Sequence, residues 1–81
     1  MPTILMMLGW RFFFYSNEGE PREPLHVHVR QGERVAKFWL EPDPEVAEAY
    51  GLSASELSEL LRVAARNTDL IRRRWDEYFG G

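Results

Sequence analysis

The sequence predicts an α+β domain: an antiparallel sheet of three to four strands with a C-terminal helix, or two helices, packed on one face. Three observations carry this. Residues 25–30 alternate strictly, with Leu25, Val27 and Val29 on one side and His26, His28 and Arg30 on the other, the period of a half-buried strand. Glu41-Pro-Asp-Pro44 then closes the strand-forming region, because proline cannot donate to a central ladder. Beyond Gly51, Ser53 and Glu56 have capping-box spacing, and Leu57, Leu60, Leu61, Ala64, Ile71, Trp75 and Tyr78 keep helical spacing. All 81 residues read as one domain, with strands within 3–40 and a helical region over 53–79.

Taken in order, Thr3–Leu8 is a short apolar run broken by Gly9. Trp10–Tyr15 is rich in aromatics and forms a second strand. Ser16–Pro24 holds Gly19, Pro21 and Pro24 among charges and reads as a loop. Leu25–Arg30 and Arg34–Leu40 follow as a hairpin, with Gln31-Gly32 as the expected turn. That turn sets Arg30 against Glu33, His28 against Val35 and His26 against Lys37. One face then collects Leu25, Val27, Val29, Ala36, Phe38 and Leu40; the other collects His26, His28, Arg30, Glu33, Val35, Lys37 and Trp39. Glu45–Tyr50 fits a helical turn or an extended segment equally well. Asn67-Thr68-Asp69 interrupts the helical pattern, where Thr68 is a candidate cap for a second helix; one kinked helix or two both satisfy the periodicity. The stripe of Leu57, Leu61, Ala64, Ile71 and Trp75 is expected to meet Val27, Phe38 and Leu40.

Composition narrows the function. Hydrophobic residues are 44% and charged residues 28%, ordinary for a globular chain. The absence of cysteine excludes disulfides, thiolate nucleophiles and Cys-based zinc sites. A chain this small buries only about 60% of its unfolded surface, so it relies on its aromatic residues and gains from association. Met1–Leu8 is too short and lacks the basic flank for a signal peptide or membrane span, so a cytoplasmic protein is expected. The net charge of −3 arises within residues 42–81, where Asp43, Glu45, Glu48, Glu56 and Glu59 precede the five arginines, as suits helix dipoles. Nucleic acid is therefore not the favoured partner.

His26-Val-His28 is the most suggestive constellation. Two imidazoles at i and i+2 on a strand share a direction, as in many metal sites, but a third ligand must come from Glu18, Glu20 or Glu23. Lys37 beside them disfavours a cation, so neither a metal nor a cofactor is expected. Imidazoles simply packed on the sheet are the plainest reading. The sharper reading makes His26, His28, Arg30, Lys37 and Trp39 a face for an anion or an acidic partner. Replacing both histidines by alanine should then leave the fold largely intact. No catalytic residue is assigned; the enzyme alternative is a His-based nuclease or metal-dependent phosphodiesterase, with His26 or His28 as general base beside Glu33 and Arg30. Aromatic residues on both faces of Trp10–Tyr15 point to a homodimer or a small protein partner.

Met1-Pro-Thr3, Arg11-Phe-Phe-Phe-Tyr-Ser-Asn-Glu-Gly19, Pro24-Leu-His-Val-His-Val29, Val35-Ala-Lys-Phe-Trp-Leu40 and Trp75-Asp-Glu-Tyr-Phe-Gly80 together resemble a family of small bacterial proteins known as a domain of unknown function. Its motif usually reads Pro-Pro-His-Ile-His-Val or Pro-Pro-His-Phe-His-Val, and Leu25 stands here for the second proline. The resemblance implies a fold and a bacterial origin and carries no catalytic residues. It also implies a paired-gene, toxin–antitoxin-like setting. A small binding or regulatory module is the expectation that joins these readings.

Overall fold

The computed structural model describes residues 3–15 and 23–80. Five strands and two helices follow in chain order: β1 (Thr3–Met7), β2 (Trp10–Phe13), β3 (His26–Gln31), β4 (Arg34–Trp39), β5 (Glu45–Tyr50), α1 (Ala54–Arg66) and α2 (Thr68–Phe79). The strands form one antiparallel meander in the order β1-β2-β3-β4-β5. The α+β architecture is as expected, with five strands in place of three to four.

The fifth strand is the ambiguous segment. Alanine and glutamate favour helix locally, yet Glu45–Tyr50 pairs with the outer edge of β4. The strand satisfies backbone groups that β4 would otherwise leave open. Gly51 ends it at φ 82°, a conformation costly for a residue with a side chain.

The β3–β4 register differs from the expected one by two residues. The turn is Gly32-Glu33, so Gln31 faces Arg34, Arg30 faces Val35, His28 faces Lys37 and His26 faces Trp39. Gly32 takes φ 62° while Glu33 keeps a negative φ, the pattern of a II′ turn. A Gln31-Gly32 turn would have forced glutamine into that first position. Because the slip is even, every side chain keeps its expected face. Glu33 is therefore in the turn and not paired with Arg30.

Ser53 and Glu56 form the capping box: Glu56 N–H donates to Ser53 Oγ (3.1 Å) and Ser53 N–H donates to Glu56 Oε1 (3.0 Å). Arg34 holds that helix start to the sheet, its Nη1 donating to Glu56 at 2.8 and 3.0 Å while its guanidinium lies 4.7 Å over the Trp10 ring. Two helices are present. Asn67 separates them, and Thr68 is already helical: its hydroxyl donates to the Ala65 carbonyl (2.9 Å) and so does not cap α2.

The buried cluster lies between the sheet and the helices. Phe12, Phe14, Leu25, Val27, Val29, Ala36, Phe38 and Leu40 meet Leu60, Ala64, Ile71 and Trp75. Leu57 and Leu61 pack against it partly buried, and Tyr78 stays exposed. Among the described residues no helix is long and apolar enough to cross a membrane.

Candidate functional site: the open face of the sheet

With both helices on one face, the other face presents side chains in cross-strand rows. The central row is Phe13, His28, Lys37 and Glu48, one residue from each of β2 to β5. Toward the β3–β4 turn lies Arg11, Arg30, Val35 and Tyr50. On the other side are His26, Trp39 and Glu45. A bulge in β5 leaves Ala47 unpaired between Val46 and Glu48, which puts Glu45 and Glu48 on the same face although their spacing is odd.

A concavity of about 280 Å³ lies over the central row, lined by Phe13, Tyr15, His28, Lys37, Glu48 and Tyr50. Its floor is packed. Phe13 is only 1% exposed, stacked against His28 with ring centroids 5.6 Å apart and crossed edge-on by Tyr15 at 5.2 Å. Tyr15 also meets His28 edge-on at 4.5 Å. Tyr50, on the opposite wall, is 70% exposed.

Of the five residues expected on this face, His28, Arg30, Lys37 and Trp39 line it, and His26 is enclosed. The His26 ring is fully buried between Trp39 (5.3 Å), Trp75 (5.1 Å) and His28 (5.2 Å), each nearly perpendicular to it. Its Nδ1 lies 3.0 Å from the Pro24 carbonyl, which can only accept, so that nitrogen carries the proton. His26 thus couples the open face to α2 through Trp75, and the expectation that removing both histidines spares the fold is revised.

The electrostatics are more balanced than the alternation implies. Lys37 Nζ lies 4.2 Å over the Trp39 ring and 3.7 Å from a Glu23 carboxylate oxygen, with Glu48 as its register partner. Arg30 Nε donates to the Gly32 carbonyl at 2.9 Å. Arg11 donates to Thr3 Oγ1 at 2.9 Å and lies 4.6 Å over Phe13. Three cations and two histidines therefore share the face with Glu45 and Glu48, a mixture suited to one shaped ligand more than to a general polyanion. Among the described residues no three His, Asp or Glu side chains converge on a metal position. Glu18 and Glu20, weighed as third ligands, lie outside the described residues, and Glu23 faces Lys37.

Phe13, Tyr15, Glu48 and Tyr50 are the lining residues that sequence reasoning missed. Tyr15 was within reach, since it alternates with Phe13. Glu48 and Tyr50 required β5 to be recognised as a bulged strand.

The fold and site define a class: a small helix-backed antiparallel meander that offers the uncovered side of its sheet as a shaped surface. The chain belongs to the family described as a domain of unknown function (DUF4160), which matches residues 9–76. No curated protein and no solved structure matches it.

Proposed function

We propose that this chain is a small non-catalytic binding module whose open sheet face receives an anionic group presented by a partner. The observation that carries the reading is the concavity over Phe13, His28, Lys37 and Glu48, where two donors lie between aromatic walls on a packed floor. His28 and Lys37 supply N–H donors for a carboxylate or phosphate, Tyr15 and Tyr50 offer ring surface, and Glu48 rejects ligands carrying charge on every side. Arg30 and Trp39 extend the same face, and His26 holds its shape from beneath. A paired-gene, toxin–antitoxin-like role fits this reading, with the occupant a small protein whose acidic or phosphate-bearing group docks here.

Amide chemical shifts are the direct test, recorded on titrating inorganic phosphate and then the co-expressed product of the adjacent gene. Perturbations centred on residues 13, 28, 37 and 48, and lost in Lys37→Met, support the module. Perturbations confined to the helices defeat it. Hydrolysis of a phosphodiester substrate that disappears in His28→Ala, or near-stoichiometric zinc, nickel or iron in untagged protein purified without chelator, replaces it with the enzyme reading.

A further inference from the structure

The two edges of the sheet are chemically unlike. β5 is protected by charge: it carries Glu45 and Glu48, whereas a register shift and a preceding proline are common to both edge strands. β1, Thr3-Ile-Leu-Met-Met7, carries no charge. At its end and just past it, Met6, Met7 and Leu8 are 62%, 42% and 55% exposed in succession. Leu8 also takes φ 57° in the Leu8-Gly9 turn, a place that favours asparagine or glycine. A bulky apolar residue that is both strained and solvated has no return within one copy of the chain.

We propose that β1 is a dimerisation edge, where a second copy pairs its own β1 antiparallel about a twofold axis and joins two five-stranded sheets into one. Charge selects this occupant. An uncharged strand is self-complementary, whereas pairing β5 with β5 gathers four carboxylates along one seam. The arrangement is isologous and closes after two copies. Room for the incoming side chains exists: a groove of about 380 Å³ lies here, its lining mixed, with Met7, Leu8 and Val63 beside Glu59, Arg62, Arg66 and Asn67. Unbranched methionines adapt to such a space. The twofold axis stands normal to the sheet, so both open faces point the same way and a dimer presents two concavities side by side. This moves the expected self-association from β2, whose aromatics are already covered, to β1.

The absence of cysteine makes the test clean. Single cysteines are introduced at Ile4, Leu5, Met6 and Met7 in turn, with Tyr50→Cys as the β5 control, and the proteins are oxidised mildly. Disulfide-linked dimers are expected from at least one β1 position and not from Tyr50→Cys. By sedimentation equilibrium at tens of micromolar, the wild type is expected as a dimer and Met6→Lys as a monomer with unchanged circular dichroism. A monomeric wild type overturns the proposal, as does a Met6→Lys protein that stays dimeric. Cross-linking through Tyr50→Cys without any through β1 does the same.

Discussion

Replacing His26 by alanine separates an enclosed structural imidazole from the one on the open face. The ring is fully enclosed, with Trp39, Trp75 and His28 around it and Nδ1–H donating to the Pro24 carbonyl. Truncation leaves a hole of ring size that two tryptophans cannot collapse into without leaving their rotamers. Large-to-small changes at such sites cost about 2–5 kcal/mol, and the lost hydrogen bond is worth about 1 kcal/mol net. A loss of about 3 kcal/mol is therefore expected, a large part of the stability of so small a domain. At about 4–8 °C per kcal/mol, the melting temperature should fall by more than about 10 °C. Urea unfolding followed by tryptophan fluorescence suits the question, because Trp39 and Trp75 both contact the altered site. His28→Ala, at a half-buried position on the open face, should cost less than about half as much while abolishing phosphate-induced shifts. Equal destabilisation by the two variants, or a loss below about 1 kcal/mol for His26→Ala, would refute the reasoning.

Four further outcomes follow from particular contacts. Ile71→Ala should cost about 2–5 kcal/mol, since α2 is anchored through this buried residue and Trp75; denaturant titration checks it. Gly32→Ala should cost about 1 kcal/mol and Gly32→Asn less, because nothing crowds the position and only its φ of 62° resists a side chain; thermal melts rank the two. Ser53→Ala should cost about 1 kcal/mol by removing the cap of α1, read as lost helicity near its start by amide exchange. The Ser53 backbone N–H, and then the Arg34 guanidinium, hold the Glu56 carboxyl below its ordinary 4.5. Its stabilising contribution is therefore complete above that value and drains away as pH falls through the lowered folded-state pKa. Glu56→Gln should lie below the wild type at neutral pH and converge with it in acid, and a stability difference independent of pH would contradict this.

The division of labour between sequence and tertiary structure is clearest at three places. Period-2 alternation named the faces of β3 and β4 correctly, and those assignments survive a register wrong by two because an even slip preserves parity. The register itself depends on which residue takes positive φ in the turn, and Gly32 admits it where Gln31 does not. The helical half was equally legible: the Ser53–Glu56 box marks the start of α1, and local hydrogen bonds need no distant partner. What only the assembled molecule decided depends on contacts between residues far apart in the chain. Glu45–Tyr50 is a strand because β4 offers it an edge, although its alanines and glutamates favour helix. That choice, with its bulge at Ala47, delivers Glu48 and Tyr50 to the concavity. The fate of the His26-Val-His28 pair was decided in the same way. Alternation puts both rings on one side of the strand, but Trp75 arrives from α2, nearly fifty residues later, to close over one of them. Spacing along a strand sets direction, while burial is set by what packs there, so the sequence alone named the faces and the tertiary contacts chose which histidine is enclosed and which stays on the open face.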